Sequence, residues 1–181
     1  MTEIGSHWID TAQYISGRKV QAVSALTGSF FPDRILRAGM MEKAASGQSE
    51  DGKRIRVDTE DAACVSFRFA DGAIGSVVLS EISPGRGNRL WLEVVCENGS
   101  LWWNEEENNV LHTAVRGEGV RSELFAFGNG FSDTFAELIR HFYTQQEVPT
   151  FREGAQVADV CAAIAQSAEN DSEWIAVEEY R

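Results

Sequence analysis

Glu3, His7, Asp10 and Tyr14 have the spacing best suited to chemistry in this chain. On a helix of 3.6 residues per turn, Glu3 to His7 is an i,i+4 step and His7 to Asp10 an i,i+3 step. Tyr14 follows a further i,i+4 step along, so the four fall on one polar stripe. An imidazole changes charge near neutral pH and can take a proton from a hydroxyl, while a neighbouring carboxylate orients that hydroxyl and stabilises the imidazolium. Trp8, Ile9, Ala12 and Ile15 form an apolar stripe opposite. Two readings stand: a proton-transfer row braced against a core, or an exposed helix face that holds a histidine.

The elements that must position these groups follow in order. The spacing predicts an opening helix over residues 6–16, stopped at Gly17. A strand is predicted over 20–27, then a long loop over 30–56 with a short helical turn around 34–43. The middle reads as β: strands over 63–69 and 74–82 joined at Asp71-Gly72, a loop over 83–88, and strands over 89–96 and 100–103 joined at Asn98-Gly99. In the 89–96 strand Leu90, Leu92 and Val94 alternate with Trp91, Glu93 and Val95. Further strands are predicted over 109–115 and 121–127. Helical periodicity returns at Phe131, Phe135, Leu138, Ile139 and Phe142, a stripe expected to pack in the core. It returns again from Gly154 through Val157, Val160, Cys161, Ile164 and Ala168, before a short strand over 174–177. One helix, a run of strands and two helices give an α+β fold, an open antiparallel-rich mixed sheet with helices on one face. The uncovered face is expected to be an interface if Phe69, Trp91, Trp102 and Trp103 share it.

The chain has 181 residues, a net charge of −12 and 43% hydrophobic residues, the composition of one globular domain. A net negative chain without clustered Lys and Arg is not built for nucleic acid. No apolar run approaches the ~20 residues that span a bilayer, and no secretion signal opens the chain, so the expected compartment is the cytoplasm and no membrane partner is expected. Cys64, Cys96 and Cys161 are odd in number and form no C-x-x-C pair, which predicts reduced, buried thiols and no zinc or redox motif. His112 and His141 read as structural or exposed, with Glu137 placed to pair with His141, and no ligand spacing predicts a metal site. Glu105-Glu106-Glu107 reads as a solvated loop.

Taken in order, these pieces resemble the C-terminal domain of the Gfo/Idh/MocA family of NAD(P)-dependent oxidoreductases. Glu3-Ile4-Gly5-Ser6-His7-Trp8-Ile9-Asp10 resembles the family's D-[IL]-G-x-H-x-x-D helix. Glu60-Asp61-Ala62-Ala63 through Phe69-Ala70-Asp71-Gly72-Ala73-Ile74-Gly75-Ser76 resembles its central hairpin. Pro84 to Leu90, with Glu93 and Glu97-Asn98-Gly99-Ser100-Leu101, resembles the next strand pair. Phe151-Arg152-Glu153-Gly154, leading into Val157 to Ala168, resembles the last helix.

The resemblance implies a two-domain enzyme acting on a sugar or polyol, inositol-like among them. A Rossmann domain carries NAD or NADP and a lysine from an E-K-P segment, and a C-terminal domain supplies an acid and a histidine, here Glu3 and His7. It implies homo-oligomers formed through the open sheet face. Read from the residues themselves, Asp10 is a supporting or helix-packing group ahead of a direct substrate contact, and Arg86 and Asn88, on the loop between strands, form either a solvated turn or substrate-binding contacts to a sugar hydroxyl or the cofactor. This chain departs from the pattern twice. Glu3 stands where the family has Asp, which moves the carboxylate by one methylene. No strand–GxGxxG–helix unit is present, since Gly117-x-Gly119 and Gly128-x-Gly130 lack the third glycine. The expectation is therefore a single C-terminal domain over 1–181, without the nucleotide domain and its lysine, that binds no cofactor alone. Its partners would be the Rossmann domain of a parent chain and a small sugar or polyol. A stand-alone, non-catalytic scaffold that self-associates through the same sheet is the alternative.

Overall fold

The computed structural model describes residues 2–37, 40–43, 52–125, 130–144, 146 and 148–178. Helix α1 (Thr2–Ser16) leads into β1 (Val20–Gly28), β2 (Asp33–Arg37), β3 (Met40–Lys43), β4 (Lys53–Arg56), β5 (Ala62–Phe69) and β6 (Ile74–Ser80). Next come β7 (Trp91–Val95), β8 (Gly99–Asn104), a 3-10 turn (Glu105–Glu107), β9 (Val110–Val115) and β10 (Val120–Leu124). Helices α2 (Phe131–Tyr143) and α3 (Phe151–Glu169) and the short β11 (Ile175–Ala176) complete the order. The fold is α+β, as the element pattern predicts. Its strands form a β11-β1-β5-β6 sheet, a β10-β9-β8-β7 sheet and a small β3-β2-β4 sheet, with antiparallel pairing throughout the described residues.

The core lies between α1, α3 and one face of the first sheet. Period-2 alternation in β5 sends Ala63, Val65, Phe67 and Phe69 inward and leaves Cys64, Ser66 and Arg68 outside. They meet Ile9 of α1, Val23 and Ala25 of β1, and Val157, Val160, Cys161, Ala163 and Ile164 of α3. Full burial of a side chain of this kind contributes about 1.5–3 kcal/mol. The surface ion pairs, such as Arg121–Glu118, contribute about 0–1 kcal/mol each, so apolar packing holds the helices to the sheet.

Two buried polar side chains fix the helices along the sheet. Gln13 Oε1 accepts the Val20 N–H at 3.0 Å, and Ser167 Oγ accepts the Ala25 N–H at 2.9 Å while donating to the Glu173 carbonyl at 2.6 Å. Helix α3 starts with a Thr150–Glu153 capping box, in which the Thr150 N–H donates to Glu153 Oε2 at 2.8 Å.

Gly99 opens β8 where the chain runs against β9. A methyl group there would lie 2.2 Å from the Ala114 carbonyl oxygen, closer than any contact allows. Gly99→Ala is therefore expected to destabilise the fold by about 1–3 kcal/mol through forced backbone movement, read as a lower urea midpoint. An unchanged midpoint would show that β8 and β9 separate freely.

Several expectations are corrected. Helix α1 begins at Thr2, not at residue 6. Gly5 lies inside the helix, where a Cβ would approach Leu79 Cδ1 at 3.0 Å, so close helix–sheet packing accounts for it. The 34–43 stretch holds strands β2 and β3, not a helical turn, because Asp33 to Leu36 pairs with Lys53 to Arg56 across the intervening sequence. Residues 38–39 and 44–51 of that predicted loop, and part of the 121–127 strand, lie outside the described residues.

The α2 stripe is not core: Phe135, Leu138, Ile139 and Phe142 are 59%, 43%, 54% and 66% exposed. The periodicity is that of an amphipathic helix, but α1 and α3 already fill the inner face of the first sheet. Ile15 is exposed, whereas Gln13 is buried. Of the three thiols only Cys161 is buried; Cys64 and Cys96 are exposed. Phe69 packs in the core, and Trp103 falls on the opposite face of its sheet from Trp91 and Trp102, as the register demands.

Candidate functional site

Helix α1 is anchored by its inner face and turns its polar stripe outward. Ile9 and Ala12 are buried, the Trp8 ring stacks on Phe67 with centroids 5.5 Å apart, and Trp8 Nε1 donates to the Trp91 carbonyl at 3.0 Å. The first two contacts and Gln13 hold α1 to the first sheet, and the Trp8 bond ties it to the second. Four residues apart on one helix, Glu3 and His7 are offset by about 6 Å along the axis. Glu3, His7, Asp10 and Tyr14 are all exposed or half-buried at the surface, Tyr14 by 86%. No hydrogen bond joins the His7 imidazole to Glu3 or Asp10 among the described residues; the backbone carbonyl of His7 accepts from Thr11 Oγ1 at 2.8 Å. The stripe thus offers an accessible imidazole flanked by two carboxylates, able to receive a proton and to hold a hydroxyl group.

Arg86 and Asn88 are exposed on the loop before β7. Arg86 Nη1 pairs with Glu106 Oε2 at 2.6 Å, and Asn88 Nδ2 donates to Glu105 Oε1 at 3.2 Å. Both partners belong to the 3-10 turn whose start Asn104 caps, so the run read as a solvated loop is an ordered acidic turn that pins the 83–88 loop. That loop runs into Trp91, the residue bonded to Trp8. Among the described residues neither Arg86 nor Asn88 is bonded to His7.

A cleft of about 190 Å³ opens beneath the other side of α1, lined by Gly5, Ile9, Leu79, Cys161, Ile164 and Glu60 among others. Gly5 and Ile9 are on the helix face opposite His7, so this cleft does not adjoin the polar stripe. Burial pushes the Cys161 thiol up, away from a reactive thiolate. Glu137 pairs with His141 Nε2 at 2.9 Å, as expected, but its main partner is Arg140, whose guanidinium holds the Glu137 carboxyl at about 2. Among the described residues no group of His, Cys, Asp or Glu is arranged to hold a metal ion, and no helix is long and apolar enough to cross a membrane.

One interaction escapes any reading of local sequence. Asp61 is fully buried; its Oδ2 accepts the N–H groups of Phe30 and Phe31, each at 2.7 Å, and its Oδ1 pairs with Arg34 Nη2 at 2.7 Å. Burial alone would raise this carboxyl, but the hydrogen bonds from Phe31, Phe30 and Arg34 outweigh it and hold it below the usual carboxylate range. Glu60-Asp61 is visible in the sequence, and nothing local shows which of the two is buried. The Thr150–Glu153 box and the Trp8–Trp91 bond are also absent from the sequence reading; of these only the T-x-x-E spacing is a sequence signal.

Fold and site define an α+β domain that carries a histidine and two carboxylates on the open side of its first helix. It has no dinucleotide-binding βαβ unit among its described, wholly antiparallel strands. The chain belongs to the Gfo/Idh/MocA family: the family model described as the GFO/IDH/MocA C-terminal domain matches residues 1–102, more than half of the chain.

Levoglucosan dehydrogenase of Pseudarthrobacter phenanthrenivorans is 28% identical, and the match covers 97% of this chain and 50% of that protein. The structure of levoglucosan dehydrogenase in complex with NADH and L-sorbose superimposes with a TM-score of 0.82 at 28% identity, over 97% of this chain and 50% of that one. An oxidoreductase domain protein from Kribbella flavida gives a TM-score of 0.82 at 26% identity, again over 97% and 50%. The chain thus spans about half the length of these relatives.

Proposed function

We propose that this chain is the substrate-binding half of a nicotinamide-dependent dehydrogenase acting on a sugar or polyol, with His7 as the proton acceptor. The observation that carries the reading is the outward row Glu3–His7–Asp10 on an anchored α1, in a member of a family of oxidoreductases. Relatives named for levoglucosan, one of them holding NADH and L-sorbose, support a sugar as the substrate class. The described residues do not fit a dinucleotide: antiparallel pairing leaves no βα turn to cradle its phosphates. The nucleotide and the lysine that the resemblance implies therefore belong to a Rossmann domain outside this chain. Hydride acceptance is the chemistry that NAD or NADP supplies there. In this half, Glu3 orients the carbinol hydroxyl, His7 takes its proton, and Asp10 stabilises the helix stripe or contacts the sugar. Arg86 and Asn88 extend the sugar contacts from the 83–88 loop.

The test has two arms. Titrated alone with NADH, the chain is expected to show no saturable binding in the micromolar range. Expressed together with a nucleotide-binding half, it is expected to reduce NAD or NADP in the presence of a sugar or polyol. Tight NADH binding by the chain alone would overturn the division of the site, and absence of turnover across a sugar panel would favour the scaffold reading.

We also infer that copies associate through the uncovered sheet faces. Leu26, Ile74 and Val78 on the first sheet and Val95, Val120 and Leu124 on the second are 62–84% exposed, more apolar surface than single scattered residues present.

A further inference from the structure

His7 and the 83–88 loop are carried by different sheets. Helix α1 packs on the β11-β1-β5-β6 sheet, whereas the loop runs into β7 of the β10-β9-β8-β7 sheet. Among the described residues the two sheets share no ladder. The loop is fixed to its own sheet by Arg86 on Glu106 at 2.6 Å and Asn88 on Glu105 at 3.2 Å, and the Glu105 N–H donates to the Leu90 carbonyl at 2.9 Å. Strand β7 is an edge of that sheet. Leu90 turns its carbonyl toward the β8 side, so the next residue, Trp91, turns its own toward the free edge, because successive residues of an antiparallel strand alternate. An edge carbonyl has no strand partner. Trp8 supplies one: its Nε1–H donates to the Trp91 carbonyl at 3.0 Å, across 83 positions of sequence. The same indole stacks on Phe67 of β5, in the first sheet.

We propose that Trp8 is a positioning residue: its indole N–H sets the 83–88 loop in a fixed place relative to His7, and so sets how a sugar is gripped between them. The proposal rests on the dehydrogenase reading above and adds a residue to that site. Trp8 follows His7 on one helix, so a bond that fixes the indole also fixes the helix that carries the imidazole. Ile9, Ala12, Gln13 and the Phe67 stack already hold α1 on the first sheet. The indole N–H is what adds the second sheet. Any aromatic ring can stack on Phe67, but the donor at the ring edge is absent from Phe. Trp8→Phe therefore separates the two roles: it keeps the stack and removes the tie.

The consequence falls on substrate binding rather than on proton transfer. Without the bond, the loop and the helix lose their fixed relation. A sugar that contacts both must then order them as it binds, which weakens binding. Once bound, the sugar itself bridges Arg86 and Asn88 to Glu3 and His7 and restores the relation, so the saturated rate is kept. The loss therefore appears in KM and leaves kcat and its pH dependence in place.

The test compares the wild type with Trp8→Phe and with Val65→Ala, which weakens the buried core without touching the tie. In the 181-residue chain, residual dipolar couplings of the β5 and β8 amides are expected to fit one alignment in the wild type and in Val65→Ala. In Trp8→Phe they are expected to need two. Paired with a nucleotide-binding half, Trp8→Phe is expected to raise KM for the sugar roughly tenfold and to keep kcat within about twofold. Arg86→Ala combined with Asn88→Ala removes the grip of the loop, so adding Trp8→Phe to that pair is expected to raise KM no further. A single alignment in Trp8→Phe, an unchanged KM, an equal rise of KM in Val65→Ala, or a Trp8→Phe effect that adds in full to that of the loop pair would overturn the proposal. Absence of turnover by the wild type across a sugar panel would overturn the dehydrogenase reading and the sugar-gripping role with it, while the couplings still decide whether Trp8 joins the two sheets.

Discussion

Asp61→Ala is expected to lower the unfolding free energy by about 3–5 kcal/mol, the range for removing one partner of a buried ion pair. The size follows from what Asp61 holds. Its carboxylate is fully buried and accepts from the N–H groups of Phe30 and Phe31 and from Arg34, itself buried. Alanine leaves two backbone donors and a guanidinium without their acceptor, in a site where Arg34 Nη1 has no other partner among the described residues. The damage falls where β1 hands over to β2, so the small β3-β2-β4 sheet is expected to loosen first. Urea unfolding followed by tryptophan fluorescence measures the loss, and a change below about 1 kcal/mol would show that solvent replaces the carboxylate.

The pH dependence has a definite sign. The folded Asp61 carboxyl is held below its ordinary value. Its contribution is therefore complete above about 3.9, the unfolded value, and is lost as the pH falls through the folded one. Asp61→Asn removes that titration, so its stability should fall less steeply than that of the wild type in the same acid range.

His7→Asn is the second large effect, and it concerns rate rather than stability. In the proposed two-domain enzyme it is expected to lower kcat by about 10²–10⁴, the usual contribution of a positioned general base. The imidazole is exposed and unbonded to its neighbours on the stripe, so the melting temperature of this chain should stay unchanged. The pH profile separates a base from a substrate contact: loss of the base removes the acid limb of kcat/KM, whereas loss of a contact raises KM and leaves the limb in place. Glu3→Gln is expected to act mainly on KM, since a hydroxyl-orienting group binds substrate. Activity within about tenfold of the wild type for His7→Asn would remove His7 from the proton-transfer role.

Much of this is readable from spacing alone. The i,i+4 and i,i+3 steps from Glu3 through His7 to Asp10 fix a shared helix stripe, because 3.6 residues per turn leave no other arrangement. Alternation from Ala63 to Phe69 fixes which side chains of β5 enter the core, because successive residues of a strand point to opposite faces. The family is also legible in the sequence, from short pieces occurring in order along almost the whole chain.

What only the tertiary structure decided are the facts that depend on distant partners. Local sequence shows Asp61 as one acid beside another; folding buries it because Phe30, Phe31 and Arg34 converge on it from well upstream in the chain. The α2 periodicity shows an amphipathic helix but not whether a partner covers it, and here α1 and α3 occupy the sheet face it would need. The alignment of Glu93, Trp102, His112 and Ser122 across β7, β8, β9 and β10 exists only once the four strands take their register. Periodicity is a property of one segment and survives without its neighbours. Burial, pairing and cross-strand adjacency are properties of two or more segments together, and no single segment contains them.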